Sequence, residues 1–262
     1  MKSGAGRGQP FRTHLLFPAL LLAALATGGC STAPVVVEGD EPEPPVFSAS
    51  RVLRPDVEQF GDMDDPFAPF NKTMYRFNYR VDKYVLLPLV IGYYKVTPRF
   101  LRAGVHNFFV NFRNITTFFN SVLQFSGRKS AQTAGRFAVN STIGLAGLFD
   151  PATAMGIPQH DEDFGQTLGK WGIGAGPYLV LPLLGPSSVR DGVGLGVDWY
   201  VSNWAREALL DPNDWWKRVW TFLYVIDTRA HVRFLYYGTG SPFEYRLVRE
   251  LYTTKRRLDI EK

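Results

Sequence analysis

From Asp65 onward the apolar residues return every three or four positions, the spacing that gathers them on one face of an α-helix. In "DDPFAPFNKTMYRFNYRVDKYVLLP" the stripe is Phe67, Phe70, Met74, Phe77, Val81 and Tyr84, with Lys72, Arg76, Arg80 and Lys83 lying off it. Asp65 as N-cap and Pro66 at the first helical position mark the start. Thr97–Pro98 opens a second helix, in which Phe108, Phe112, Ile115, Phe119 and Val122 keep the period. Asn107, Asn111, Asn114 and Asn120 form a polar row beside them, suited to bordering polar groups or to capping turns and neighbouring backbone. A stripe of this kind would also serve a soluble core, but the weight of Phe and Tyr favours a membrane interface.

Further along, Ser130 starts a helix of mostly small residues that ends near Gly144. Ser188 and Asp191 form a capping-box pair before "VRDGVGLGVDWYVSNWAREALL", whose Gly192, Gly194 and Gly196 allow it to bend. Asp211–Pro212 opens a helix carrying Trp215, Trp216, Trp220, Phe222 and Tyr224, and Ser241 caps a last helix with a basic end. No strand alternation of useful length is present and nothing repeats. The reading is all-α, with a single domain over residues 65–262.

One stretch breaks the pattern. "WGIGAGPYLVLPLLGPSSV", Trp171 to Val189, has no charged side chain and is about as long as a membrane-spanning helix. Gly172, Gly174, Gly176 and Gly185, with Pro177, Pro182 and Pro186, forbid that helix. The segment is read as non-helical.

The N-terminus supplies the context. Lys2, Arg7 and Arg12 precede an apolar run from Leu15 to Leu25, then Gly28–Gly29 and Cys30, which is a secretory signal peptide over residues 1–29. Cys30 is the only cysteine in the 262 residues, so no intramolecular disulfide exists. Its setting resembles a bacterial lipobox, apart from Thr27 where Leu is usual, and that resemblance implies a lipidated Cys30. Ser31 in place of Asp implies sorting to the outer membrane. Residues 30–64 are then a tether: from Ser31 to Asp65 there are nine acidic and two basic residues with five prolines, too little apolar content to fold.

Residues 66–262 carry 24 Lys and Arg against 15 Asp and Glu. A basic domain held near a bilayer suits anionic headgroups, each cation near the surface being worth about 1 kcal/mol. Export and acylation set nucleic acid aside. A search for chemistry finds no G-x-S-x-G nucleophile elbow and no complete G-x-G-x-x-G. "HDED" at His160–Asp163 points its side chains in different directions, and His106, His160 and His231 are scattered, so no metal, no cofactor and no catalytic pair is read.

"DPFAPFNKTMYRFNYRVDKYVLLP", "GVHNFFVNF", "GRFAVNSTIGLAGLFD", "EDFGQTLGKWGIGAGPYLVLPLLGPSSVRD" and "SPFEYRLVRELY", in that order behind an acylated cysteine, resemble the MlaA (VacJ) family of outer-membrane lipoproteins from Asp65 to Tyr252. The resemblance implies a ring-like domain of amphipathic helices lying in the periplasmic leaflet, pierced by an amphipathic channel. It implies partnership with a trimeric porin and removal of phospholipid mislocalised in the outer leaflet. The lipid passes to a soluble periplasmic lipid-carrier protein, without cofactor or covalent chemistry. A porin-associated scaffold lipoprotein without transport is the alternative.

Within that frame the Gly/Pro segment is a channel wall or gate, with Trp171, Gly172, Gly174, Gly176, Tyr178, Leu181, Ser187 and Ser188 as candidates, or else a loop buried inside the ring. Arg99, Arg102 and Arg113 are candidates to guide headgroup phosphates, guanidinium forks matching phosphate geometry, or are ordinary surface arginines. Phe108, Phe112 and Phe119 face the leaflet or pack in the core.

Overall fold

Polar side chains, not apolar ones, fill the interior of this molecule. The computed structural model describes residues 65–210, 213–241 and 243–262; the signal peptide, Cys30 and the tether to residue 64 lie outside them. Among the described residues, eleven buried side chains are hydrophobic and twenty-four are polar or charged. That reverses the usual partition of a water-soluble domain.

The first helix, α1 (Ala68–Val81), shows how this arises. Its predicted stripe is present but faces outward: Phe70 and Phe77 are exposed, while Asn71, Tyr75 and Asn78 are buried. Asp65 is not its N-cap, as the sequence had suggested. Its backbone carbonyl accepts from Ala68, and its carboxylate accepts from Asn71 Nδ2 at 2.9 Å and from the Tyr245 hydroxyl. The chain then passes through a π-helical turn, Asp82–Leu86, into α2 (Leu87–Val96). Pro88 lies at the start of α2 and has no N–H to donate backwards, so a wider register there leaves fewer broken bonds.

Pro98 precedes α3 (Arg99–Leu123), the longest helix. Its asparagine row is inside: Asn111, Asn114, Thr117, Asn120 and Ser121 are buried, and Phe119, Val122 and Leu123 are exposed. The antiparallel α4 (Gly127–Thr142) adds Ser130, Thr133, Arg136 and Asn140 to the polar interior. There Arg136 donates to Asp150 at 2.7 Å and to Thr153 at 3.1 Å, and Asn140 donates to Asp150 at 2.9 Å. Pairing of this kind offsets the cost of burying polar groups. Asp150 also caps the short α5 (Pro151–Ala154), and Asp163 caps α6 (Phe164–Lys170).

The Gly/Pro segment corrects the expectation that no strand forms. Tyr178–Leu181 (β1) and Gly185–Ser188 (β2) pair antiparallel, with Tyr178 opposite Ser188 and Leu181 opposite Gly185. Leu183 and Gly185 adopt positive φ at the turn. Then come α7 (Val189–Leu210), α8 (Asp214–His231) and α9 (Glu244–Glu261). Ser188 Oγ accepts from Asp191 N–H at 3.2 Å, half of the expected capping box. Asn213 caps α8, accepting from Trp216 N–H at 3.0 Å; Asp211 and Pro212, where the sequence placed its start, lie outside the described residues.

Contacts close into a circuit. β1 rests on α1, β2 on α9, α9 on α6, α6 on α3, α3 on α8 and α8 on α2, which the π-turn joins back to α1. The described chain is mostly helical, the all-α fold that the resemblance implied. Its two small apolar clusters are rich in tyrosine: Tyr75, Tyr178, Val180 and Val248 at the hairpin, and Val90, Ile226 and Ala230 with Tyr93 and Tyr94 between α2 and α8. Outward stand Trp199, Tyr200 and Trp204 on α7, and Trp215, Trp216 and Phe222 on α8. No described helix is long and apolar enough to cross a membrane.

Candidate functional site

A cavity of about 400 Å³ opens between the hairpin and α9. One wall is backbone and small groups from Ala175 to Tyr178 with Ser188; the other is Arg249, Tyr252, Thr253, Arg256, Arg257 and Ile260; Arg190 and Asp191 complete it. Four guanidinium groups therefore face one carboxylate.

Local sequence dictates each wall. Gly172 (φ 85°) ends α6, donating its N–H to the Gly169 carbonyl, and Trp171 Nε1 donates to the Leu123 carbonyl at 3.1 Å. A positive φ suits glycine because no Cβ meets the carbonyl. Gly176 (φ 67°) reverses the chain toward β1, where a Cβ would stand 3.3 Å from Val189. Ser187 and Tyr178 are buried, and Leu181 is half-buried. On α9, Arg249, Tyr252 and Arg256 recur at spacings of three and four, which places them on one face.

Asp191 anchors the charges. It accepts from Tyr252 Oη at 2.6 Å, from Arg256 Nη2 at 2.8 Å and from Arg190 Nε at 3.0 Å. Burial pushes its pKa up, but the bonds from Arg256 and Tyr252 and the nearby guanidinium charges outweigh burial and hold it at about 2. Arg256 also forks onto Asp163 at 2.6 and 2.9 Å; its pKa is raised, the two carboxylates overcoming its own desolvation. Its donors are thus committed to protein.

The uncommitted donors are different ones. Arg249 is buried and stands 3.5 Å from Asp65, yet its Nε has no hydrogen-bond partner among the described residues; nor has the buried Tyr178 hydroxyl. Burial first, and the charge of Asp65 second, push that phenol's pKa up, so it stays a neutral donor. Buried donors without acceptors cost about 1–3 kcal/mol each. Together with exposed Arg257 they equip the cavity for an anionic, phosphate-like group.

The sequence-selected arginines do not assemble. Arg102 donates to the carbonyls of Tyr94 and Thr97 and lies over the Tyr94 ring at 4.5 Å, so it closes the end of α2. Arg99 is exposed beside it, and Arg113 lies about 15–20 Å along the same helix, 3.7 Å from Asp161. Phe108 and Phe112 are half-buried with ring centroids 5.2 and 4.8 Å from Trp220; Phe119 is the exposed one. Phe119 lines a second, almost wholly apolar groove of about 310 Å³ between α3, α4 and α7, with Phe118, Phe137 and Trp204.

Three comparisons bear on this arrangement. The family model described as MlaA lipoprotein matches residues 63–259. An uncharacterized protein of Rickettsia felis is 37% identical over 146 residues, covering 56% of this chain and 57% of its own. The intermembrane phospholipid transport system lipoprotein MlaA of Haemophilus influenzae is 34% identical over 146 residues, 55% of this chain and 58% of its own. That of Escherichia coli K12 is 35% identical over 132 residues, 48% and 52%. The aligned chain therefore spans a little over half the length of these curated relatives. A solved structure, described as the structural basis for maintenance of bacterial outer membrane lipid asymmetry, superposes with TM-score 0.61 at 29% identity, covering 75% of this chain and 99% of its own.

Proposed function

On the premise that this chain belongs to the MlaA lipoprotein family, we propose that it extracts phospholipid from the outer leaflet of the outer membrane and passes it inward. Anchored through Cys30, the helical ring lies in the periplasmic leaflet with its exposed aromatic belt in acyl chains. The lipid descends through the amphipathic interior to a soluble periplasmic carrier, and a trimeric porin holds the ring in place. No covalent step is required. The observation that carries this reading is the inverted partition: apolar faces of α1, α3, α7 and α8 point out, while Asn, Thr, Ser and Arg side chains point in. A ring immersed in hydrocarbon gains by exposing Phe and Trp and must pair its polar groups internally.

Within the ring, the cavity under the hairpin serves as the headgroup station. Arg249, Arg257 and Tyr178 supply donors to phosphate, and the Gly176–Pro177 backbone narrows the passage. This moves the headgroup role from Arg99, Arg102 and Arg113 to α9. The experiment is deletion of the gene with quantification of surface-exposed phospholipid in intact cells. Accumulation restored by the wild type, and only partly by Arg257→Glu at equal membrane levels, supports transport through this cavity. Unchanged outer-leaflet composition in the deletion strain would replace transport by the scaffold reading.

A further inference from the structure

His106 on α3 and His231 at the end of α8 stack ring on ring, with centroids 3.6 Å apart and planes 17° from parallel. Between them and the interior lies Asp227, one helical turn before His231 and 4% exposed at its side chain. Its Oδ2 is 2.9 Å from His106 Nδ1, and His231 Nδ1 is 2.8 Å from its backbone carbonyl. The other carboxylate oxygen, Oδ1, is buried with no hydrogen-bond partner among the described residues, 3.5 Å from His231 Nδ1. The Tyr93 hydroxyl is also buried without a partner; burial, and then the charge of Asp227, push it up to about 12.

We propose that His106, Asp227 and His231 form a binding site for a divalent transition metal, of which Zn²⁺ suits the donor set best, clamping α3 to α8. One ligand atom from each of the three residues lies within 4.8 Å of the others. Two imidazoles and one carboxylate are the commonest protein donors to such ions, at metal–ligand distances of about 2.0–2.2 Å. Hydrogen bonding alone leaves the site unbalanced. His106 Nδ1 reaches Oδ2 and His231 Nδ1 reaches the backbone carbonyl, which leaves Oδ1 without a hydrogen-bond partner among the described residues. A divalent ion satisfies the carboxylate and both rings together.

Parallel rings aim their in-plane lone pairs past each other, so binding must turn one ring about its Cβ–Cγ bond. His231, the last residue of α8 and 27% exposed, has that freedom. His106 is 33% exposed, which leaves a route in from the surface. The site lies at the junction of α2, α3 and α8, away from the hairpin cavity, and stands whether or not phospholipid passes there.

The test uses the full acylated protein in detergent, purified without a histidine tag, stripped with chelator and titrated with Zn²⁺ by calorimetry. One ion per chain is expected, with a rise in Tm of several degrees. His231→Gln, partly exposed at a helix end, and His106→Gln should each weaken binding at least tenfold while keeping the helical circular dichroism of the wild type. His160→Gln, a histidine elsewhere, should leave it unchanged. Absence of stoichiometric binding to the wild type, or equal binding by wild type and the His106→Gln/His231→Gln pair, overturns the proposal.

Discussion

Asn71 Oδ1 accepts the backbone N–H of Val180 at 2.8 Å, across 109 positions of sequence, while its Nδ2 donates to the Tyr178 carbonyl at 2.9 Å. Asn78 repeats the device two turns on, donating to the Leu181 carbonyl and accepting from Leu183 N–H at 2.7 Å. Two side-chain amides on α1 thus act as a third strand against β1. A two-stranded hairpin is marginal alone, and this is what holds the cavity's wall in place.

Asn71→Leu keeps the volume but leaves a buried N–H and a buried carbonyl without partners. At about 1–3 kcal/mol for each stranded group, thermal unfolding in detergent should fall by about 5–10 °C. Asn→Ala at an exposed site should shift it little, and an equally small change at Asn71 would remove the third-strand role.

The glycines of α7 separate into two kinds. A Cβ on Gly194 would stand 2.4 Å from Gly165 N, whereas one on Gly196 meets nothing within 4 Å. The sequence suggested bending for both; the structure shows that Gly194 instead allows α7 to touch the start of α6. Gly194→Ala should therefore destabilise by about 2 kcal/mol or more through overpacking. Gly196→Ala should stabilise by about 0.5–1 kcal/mol, since alanine loses less entropy in a helix. Denaturant melts of the two variants side by side would show opposite signs; the same sign would contradict this packing.

Much of the fold was legible from period and punctuation, and the misses share physical causes. The stripes on α1 and α3 were correctly phased, but which face is inward depends on the surrounding solvent, which period alone does not state. The hairpin escaped because β1 is only "YLVL" and its pairing is completed by Asn71, far away in sequence. The arginine cluster did leave a trace: Arg249, Tyr252 and Arg256 in "RELYTTKR" share one helix face, yet read as no more than a basic end. His106 and His231 left none, since only the packing of α3 on α8 brings them together.

The exposed tryptophans Trp199 (69%), Trp204 (56%), Trp215 (67%) and Trp216 (59%) should dominate the protein's fluorescence. Reconstituted into vesicles whose acyl chains are brominated, the protein should lose most of its emission relative to unbrominated vesicles, and Trp199→Phe/Trp215→Phe should lose proportionately less. Emission at the wavelength of water-exposed indole, unaffected by bromine, would place these faces outside hydrocarbon.

Asp198 sets a pH dependence whose sign follows from its surroundings. Its Oδ1 accepts from Asn120 Nδ2 at 2.8 Å and its Oδ2 from Phe164 N–H at 2.9 Å. Burial nonetheless pushes its pKa up to about 6, with Asp163 adding repulsion, against these two bonds and Arg256. The folded chain thus keeps a proton that the unfolded chain, at an ordinary carboxylate value of 3.8, has lost between about pH 4 and pH 6. Stability must fall as pH rises through that window and then level off. The full difference is about 3 kcal/mol, reduced to about 1–2 by partial solvent access. Asp191, held at about 2, works in the opposite sense, and its contribution is lost only as pH falls from about 4 toward 2. The windows do not overlap, so unfolding free energies of wild type minus Asp198→Asn, followed from pH 4 to pH 8, isolate the first. That difference should decline by about 1–2 kcal/mol up to pH 6–7 and be flat beyond; a difference that does not change with pH would mean Asp198 is ionised throughout.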